Sequence, residues 1–282
     1  MSGSTVAGGS VAQQFTGSAA AALTSFFSSG TTFTILPPTS GAFTASGPVV
    51  VAAPNLALTL SGATAVADTS TGGTSITTTT PSAVFAAPND TITSAAATTL
   101  FGASGGGIDH FSISGANSSI TGGTGSIVGT ASGSNSTLVG GTGISIFNVT
   151  GPNSLAVAGS AGVTGINEQA STGPETIATN PLGNSGTLVA ILGSGADTVL
   201  GGSGASTITG GSGNDVFAFI KGHAGGSEVI IGFNARDNLA FAGYGYTATN
   251  LPTEVVGSIG DVITLNDGTT ITLAGFDHKI FS

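Results

Sequence analysis

A nine-residue repeat between residues 192 and 218 constrains this chain more than any other feature of its sequence. The three rows read LGSGADTVL, GGSGASTIT and GGSGNDVFA, and Val199, Ile208 and Phe217 fill the same apolar position. Glycine permits tight turns, and the end of each row alternates as a short strand with an apolar side chain directed inward. Two rows therefore make one coil, with a turn on each side. This pattern predicts an all-β fold, a parallel β-roll or β-solenoid.

Aspartate recurs at the sixth position of the first and third rows. Asp197 and Asp215 are thus separated by two full rows, so we expect them on the same side of successive coils. A cation between these turns would meet two carboxylates and backbone carbonyls, an oxygen shell that suits Ca²⁺. The turn glycines predicted to contribute are Gly193, Gly195, Gly211 and Gly213. On the opposite side of the coil, Ser206 occupies the position where an acid would be needed. That side is therefore predicted to bind calcium weakly or not at all.

The same period continues upstream with lower fidelity. Residues 104–112 read SGGGIDHFS and place Asp109 at the sixth position, which predicts a second calcium ligand near Asp109 or Asp90. The rows that start at residues 122 and 140 keep the glycines and lose the acid. We therefore expect few calcium ions, with one good site at Asp197 and Asp215.

The whole chain divides into four predicted segments. Residues 1–30 form an N-terminal arm with one short helix, because Phe15, Ala19, Leu23 and Phe26 recur at near-helical spacing and Gly30 would end the helix. The remaining segments are a β-rich Ser/Thr/Ala region at 31–103, the solenoid at 104–218 and a C-terminal β cap with a secretion-signal region at 219–282.

Within these segments, short Val/Ile/Thr/Phe-rich runs predict strands at 31–36, 49–51, 56–60, 75–79 and 83–86. Residues 167–182, with Glu168 and Glu175, resemble an insertion between two repeat blocks.

Composition excludes several classes of protein. The chain has 3 Lys+Arg against 13 Asp+Glu, a net charge of −10, so it lacks the basic surface of a nucleic-acid binder. It has no cysteine for a disulfide scaffold. No unbroken apolar run is long enough for a membrane helix, so no membrane insertion is expected. The N-terminus lacks the basic and apolar regions of a cleaved signal, so any export is expected to use another route.

The repeat rows resemble those of the RTX family, calcium-binding parallel β-rolls exported by type I secretion systems. Residues 217–244 resemble the family segment that follows the last repeat, and residues 261–276 resemble its terminal strands, near an uncleaved C-terminal secretion signal. The resemblance implies Ca²⁺ as the cofactor and an extracellular or cell-surface location.

The sequence contains no recognisable set of catalytic residues. Residues 102–106 (GASGG) fit G-x-S-x-G, but such a match arises by chance in a chain this rich in Gly and Ser. The three histidines are scattered, and residues 1–90 hold two acids, no base and no histidine. We therefore predict that the chain is not an enzyme.

Two functional classes remain, and the charge distribution favours the first. Residues 1–67 carry no charged side chain or histidine, whereas exposed strands are normally guarded by charges. This favours a structural protein that self-assembles into a surface layer or filament, with itself as partner and a cell-surface polysaccharide as a further candidate. The alternative is an adhesin or binding module for glycan or ice. Residues 75–80 (SITTTT) are Thr-rich, but no regular T-x-T ladder is evident at the coil period.

Overall fold

The computed structural model describes residues 4–27, 30–179, 186–223 and 225–281. The chain divides into two compact units, Met1–Ser145 (unit 1) and Ile146–Ser282 (unit 2). Each unit is a parallel β-solenoid, in which successive strands alternate between two sheets, called sheet A and sheet B in both units. The predicted fold class is therefore confirmed.

Unit 1 starts with a short strand and two helices, and its coils follow. Its elements are β1 (Thr5–Ala7), α1 (Gly8–Ala12), α2 (Gly17–Phe26), β2 (Thr32–Ile35), β3 (Gly41–Thr44), β4 (Val49–Val51), β5 (Ala57–Ser61), β6 (Ala65–Asp68), β7 (Ser75–Thr78), β8 (Ser82–Phe85), β9 (Thr91–Ser94), β10 (Thr98–Phe101), β11 (Ile108–Ile113), β12 (Ser119–Thr121), β13 (Ser126–Ala131) and β14 (Thr137–Val139). Sheet A has the order β1-β2-β4-β6-β8-β10-β12-β14 and sheet B the order β13-β11-β9-β7-β5-β3. All five strands predicted between residues 31 and 86 are present, within one or two residues of the expected bounds.

Unit 2 repeats this alternation and ends in an antiparallel addition. The strand β15 (Ile144–Val149) spans the point of division, and unit 2 continues with β16 (Leu155–Val157), β17 (Val163–Asn167), β18 (Thr176–Ala178), β19 (Thr187–Ile191), β20 (Thr198–Leu200), β21 (Ala205–Thr209), β22 (Val216–Ile220), β23 (Ser227–Ile231), β24 (Asn238–Ala242), β25 (Thr253–Gly257), β26 (Gly260–Thr264) and β27 (Thr270–Ala274). Sheet A runs β16-β18-β20-β22-β24, and sheet B runs β17-β19-β21-β23-β27-β26-β25. The last two pairings of sheet B, β27 with β26 and β26 with β25, are antiparallel.

The helix α2 covers the outer face of sheet A in unit 1, as the spacing of its apolar residues predicts. Phe15, Ala19 and Leu23 are buried against Phe85 and Phe101. The ring centroids of Phe15 and Phe85 are 5.9 Å apart, and those of Phe85 and Phe101 are 4.9 Å apart in a stacked arrangement. This aromatic contact supplies a second apolar layer outside the solenoid core.

The end of α2 differs from the prediction. The helix ends at Phe26, before Gly30, and the side chain of Phe26 is 58% exposed, although Phe26 belongs to the apolar spacing that predicts the helix. The backbone becomes extended at Phe27, and this change of direction brings Phe27 into edge-on contact with Phe33, at 5.2 Å between ring centroids. The additional helix α1 is too short to produce a helical periodicity in the sequence.

In sheet B of unit 1 the core comes from the alternation of buried and outward-facing side chains along each strand. In β5, β7 and β9 the buried apolar residues are Leu58, Leu60, Ile76 and Ile92, and the intervening side chains face out. Burial of each such side chain stabilises the fold by roughly 1.5–3 kcal/mol. Parallel strands one coil apart place these side chains in columns.

The number of residues per coil varies, but the paired strands stay aligned in the same columns. In sheet A of unit 2 the paired positions Leu155, Thr176, Thr198, Val216 and Asn238 are separated by 21, 22, 18 and 22 residues. Residues 167–179 therefore belong to a lengthened coil that contributes β18 in its regular place, and residues 180–182 of the predicted insertion lie outside the described residues.

The four predicted segments are not distinguished by the strand pairing within unit 1. Strands from residues 31–103 and from residues 104–145 pair in the same two sheets, for example β8 with β10 and β10 with β12. The division of the chain at residues 30, 103 and 218 stays a prediction. None of the described helices is long and apolar enough to cross a membrane.

Candidate calcium site

The two glycine-rich turns that carry Asp197 and Asp215 lie on the same side of adjacent coils. Residues 192–197 connect β19 to β20, and residues 210–215 connect β21 to β22, so each aspartate immediately precedes a strand of sheet A. The paired strands β20 and β22 align Thr198 with Val216, which places the two aspartates one coil apart. The separation of the two acids by two nonapeptides predicts this placement.

Each aspartate forms hydrogen bonds to the coil before it. The backbone N–H of Asp197 donates to Oδ1 of Asp215 at 3.0 Å, and the backbone N–H of Glu175 donates to Oδ1 of Asp197 at 2.9 Å. Both aspartates are buried, at 1% and 0% exposure. One oxygen of each carboxylate thus closes the turn, since buried N–H groups require an acceptor.

The second oxygen of each carboxylate has no partner. Oδ2 of Asp197 and Oδ2 of Asp215 are buried without a hydrogen bond in the described part of the chain. The one ion pair among the described residues joins His278 to Asp277 at the surface, and no basic side chain acts on either Asp197 or Asp215. An uncompensated buried carboxylate is costly, and a bound cation would remove that cost.

Burial and a neighbouring negative charge raise the pKa of both aspartates. Desolvation is the main cause for Asp197, followed among the raising effects by the negative charge of Asp215. For Asp215 desolvation is again first, and the raising charge is Asp237. The backbone N–H bonds oppose this increase in part. The site therefore favours either protons or a cation.

The turn glycines let the coils approach each other closely. A Cβ at Gly213 would lie 1.6 Å from the carbonyl oxygen of Gly195, and a Cβ at Gly211 would lie 1.7 Å from the carbonyl oxygen of Gly193. No side chain fits at either position, so the backbone carbonyls of one turn face the backbone of the next. This arrangement supplies neutral oxygens beside the aspartates, and together they make the hard oxygen donor set that Ca²⁺ requires.

The column of acids is longer than the nonapeptide pattern predicts. Glu175 precedes β18 and Asp237 precedes β24, in the position that Asp197 and Asp215 occupy before β20 and β22. The backbone N–H of Asp215 donates to Oδ1 of Asp237 at 3.1 Å. Both additional acids are 22 residues from their neighbour in the column, so a search at the spacing of two nonapeptides misses them.

Serine takes the same position in the preceding coils. Ser118, Ser136 and Ser154 precede β12, β14 and β16, and each hydroxyl donates to the carbonyl three residues earlier, at 2.7–2.9 Å. Ser118 Oγ also accepts the N–H of Thr98 at 3.1 Å. A hydroxyl can therefore close this turn without a charge, and cation-binding potential is confined to the coils that carry acids.

Asp109 and Asp90 lie together in unit 1, with both oxygens of each occupied. Asp109 accepts the N–H groups of Asp90 and Ala103, at 3.3 and 2.7 Å. Asp90 accepts those of Thr74 and Ala87, at 2.9 and 2.8 Å. Burial raises the pKa of both carboxyls, that of Asp90 to about 8. A calcium ion at Asp109 stays a prediction, and the contacts present there are those of a turn-closing residue.

The side of the coils opposite the calcium turns also contains a buried acid that the repeat pattern does not show. Ser206 pairs in register with Glu228 of β23, and the N–H of Gly202 donates to Oε1 of Glu228 at 3.3 Å. Burial raises the pKa of Glu228 to about 7. Oε2 of Glu228 and Oγ of Ser206 are buried without a partner in the described residues.

The donor set in the described residues fits calcium held by two carboxylates and backbone carbonyls. No group of three or more Asp, Glu, His or Cys side chains in the part of the chain that the structure describes converges on one metal position. Asp197 and Asp215 are the residues that would hold the ion between the turns 192–197 and 210–215. The bound ion would supply the positive charge that the buried oxygens lack.

These features define a parallel β-solenoid with calcium-binding turns. The family model of the RTX calcium-binding nonapeptide repeat, in four copies, matches residues 191–219, which are the turns and strands described above. These residues are therefore RTX calcium-binding repeats, and the β-solenoid fits an RTX-type repeat protein with Ca²⁺ as its cofactor. Searches of curated proteins and of solved structures gave no match.

Proposed function

We propose that this chain is a secreted structural protein that folds when it meets calcium outside the cell and then assembles with further copies of itself. RTX repeats are typical of secreted proteins. The proposed location is extracellular or at the cell surface, and the proposed partner is a second copy of the chain. The prediction that the chain is not an enzyme stays a prediction.

Calcium acts as the folding switch in this proposal. The unpartnered oxygens Asp197 Oδ2 and Asp215 Oδ2 make the calcium-free folded state costly. Extracellular-type sites have Kd values of roughly 10⁻⁴–10⁻³ M, far above cytosolic calcium. The binding free energy then contributes directly to folding, because the site forms only when adjacent coils stack.

The observation that carries the assembly proposal is the edge of sheet B in unit 2. The edge strand β25 pairs only with β26 among the described strands. Val255 is 60% exposed on this strand, and Ile259 in the adjoining turn is 66% exposed. Open strand edges are usually protected by charge, yet the only acid on β25, Glu254, faces inward and accepts the N–H groups of Ile280 and Phe281.

A complementary edge exists in unit 1. The strand β3 pairs only with β5 in the described sheet B, and its side chains are mostly exposed. Two different edge strands favour heterologous contacts, in which β25 of one copy adds to β3 of another. Such contacts do not close on themselves, so they produce filaments or sheets.

Negative-stain electron microscopy of the full chain tests this proposal. We expect ordered filaments or sheets in millimolar calcium and none after calcium removal. Val255→Lys places a charge on the edge and should abolish assembly, whereas Val189→Lys alters a similarly exposed residue of the interior strand β19 and should not. Monodisperse particles of wild-type protein in calcium would contradict the proposal.

A second candidate function rests on the outer face of sheet B in unit 1. The pairing aligns Thr59, Thr77, Thr93, Ser112 and Thr130 in one column on that face. The neighbouring column contains Ser75 and Thr91. Parallel strands set the hydroxyl spacing at about 4.8 Å along each column. This favours binding of a neutral glycan or of ice.

The residues of this hydroxyl column do not recur at a fixed spacing in the sequence. Its residues are separated by 18, 16, 19 and 18 positions, so a search for a regular ladder does not reveal them. Thr93→Lys should abolish ice-recrystallisation inhibition or retention on a neutral polysaccharide, and Thr207→Lys, on sheet B of unit 2, should not. No binding by the wild-type protein in either assay would exclude this candidate.

A further inference from the structure

The loop before β18 contains a buried carboxyl group that the nonapeptide repeat does not explain. Glu168 is 1% exposed, and neither Oε1 nor Oε2 has a hydrogen-bond partner among the described residues. Glu175, at the other end of the same loop, differs in this respect. Its Oε1 accepts the hydroxyl of Ser171 at 2.8 Å, and its Oε2 accepts the N–H of Ser154 at 2.6 Å.

This loop stacks directly on the first calcium turn. The N–H of Glu168 donates to the carbonyl of Ile191 at 2.8 Å, immediately before the turn 192–197. The N–H of Ser194 donates to the carbonyl of Ser171 at 3.1 Å. With the bond from Glu175 to Asp197 already described, the loop 168–175 forms the layer that precedes the two calcium turns.

Backbone carbonyls from the loop face the turn across a gap that only glycine permits. A Cβ at Gly195 would lie 1.8 Å from the carbonyl oxygen of Gly173. A Cβ at Gly193 would lie 2.4 Å from the carbonyl oxygen of Ser171. The contact between the loop and the first turn therefore repeats the close approach seen between the turns 192–197 and 210–215.

The charges around Glu168 are all negative. After burial, the largest effects that raise its pKa, to about 9, come from Asp197, then Glu175 and Asp215. A buried carboxyl without a partner requires a proton or a cation. The unpartnered Oδ2 of Asp197 belongs to the acid that affects Glu168 most.

We propose that Glu168 and Asp197 bind a divalent cation between the loop 168–175 and the turn 192–197, with backbone carbonyls completing an all-oxygen shell. Since no three acidic side chains converge in the described residues, two carboxylates and several carbonyls make up the donor set. Calcium suits such a set because it accepts six to eight oxygen ligands with flexible geometry. This site adds one ion ahead of the repeat rows, and it does not depend on self-assembly.

Calorimetric titration of the full-length, calcium-free protein with Ca²⁺ tests the proposal. Glu168→Gln keeps the size of the side chain and mimics its protonated form, so the fold should persist. We expect the number of bound ions to fall by one, while the site that Asp197 shares with Asp215 still fills. Glu254→Gln is the control, because Glu254 is also buried but both of its oxygens accept backbone N–H groups, so the number of bound ions should not change. An unchanged stoichiometry for Glu168→Gln would overturn the proposal.

A second measurement checks that a lower stoichiometry reports a lost ligand. Circular dichroism in saturating calcium should give the same spectrum for Glu168→Gln and for the wild-type protein. A stoichiometry that falls only together with loss of the folded spectrum would contradict the proposal, whatever the outcome of the assembly experiments.

Discussion

Asp197 donates its backbone N–H to the side chain of Asp215, one coil further along the chain. The second oxygen of the Asp215 carboxylate, Oδ2, is buried and has no hydrogen-bond partner among the described residues. One side chain thus performs two tasks. It closes the turn of the preceding coil, and it offers a ligand oxygen to a cation. Substitutions at Asp215 can separate these tasks.

Asp215→Asn should retain the hydrogen bond and lose the charge. We expect the calcium concentration at half-maximal folding, measured by circular dichroism, to rise at least about tenfold, because ligand charge sets the affinity of such sites. Asp215→Ala should cost a further loss of about 1–3 kcal/mol, since the N–H of Asp197 loses its acceptor. Asp277→Ala is the control, at an exposed position. Identical calcium dependence in wild type and Asp215→Asn would exclude Asp215 as a ligand.

Gly213→Ala should prevent the stacking of the two calcium turns. The new Cβ would lie 1.6 Å from the carbonyl oxygen of Gly195, so the backbone must move apart. We expect loss of cooperative calcium binding in a Tb³⁺ luminescence titration. Gly106→Ala is the matched control, because a Cβ at Gly106 would meet nothing within 4 Å and the change should have little effect. Equal titration curves for the two variants would show that the close approach is unimportant.

The calcium-free protein should become less stable as the pH rises. Burial raises the pKa of Glu168 to about 9, of Asp90 to about 8 and of Glu228 to about 7, from ordinary values near 4. The folded state then binds protons more tightly than the unfolded state, so its stabilisation is complete at about pH 4 and is lost progressively up to about pH 9. Thermal unfolding in metal-depleted buffers should give a lower Tm at pH 8.5 than at pH 5.5. A Tm that rises over this range would contradict the assigned burial.

Phe85→Ala should destabilise unit 1 without altering calcium affinity. Phe85 is fully buried, contacts Phe15 of the segment before α2 and stacks on Phe101. Removing such a ring typically costs about 3–5 kcal/mol. Phe26→Ala serves as the control, since Phe26 is 58% exposed. Denaturant unfolding followed by circular dichroism measures both, and similar midpoints would argue against the packing of α2 on sheet A.

Local patterns predicted most of this fold. The three rows at 192–218 fix the phase of strands and turns, and Ala19 and Leu23 mark the helix that covers sheet A, with Phe15 just before it. The rest depends on coil length. Glu175 and Asp237 join the acid column through coils longer than two nonapeptides, and the threonine column of unit 1 includes a coil that is shorter. Coil lengths of this kind arise from turn geometry, which a fixed repeat period does not contain.

Glu168 could not be found from the sequence for a different reason. The role proposed for it depends on a side chain that is buried in the fold, and the nonapeptide pattern has no acidic position there. The exposure of Phe26 likewise could not be predicted, because helical spacing does not show that the helix ends at this residue.

The acids of unit 1 are all buried. Asp68, Asp90 and Asp109 are at most 2% exposed, which leaves His110 as the one exposed ionisable side chain in the described residues of that unit. Dissolved ions screen interactions between exposed charges, within about 8–10 Å at ordinary ionic strength. The surface of unit 1 consists of uncharged groups such as hydroxyls and methyls, so it has almost no charges for dissolved ions to screen. Contacts made by unit 1 should therefore hold equally well in fresh water and in brine.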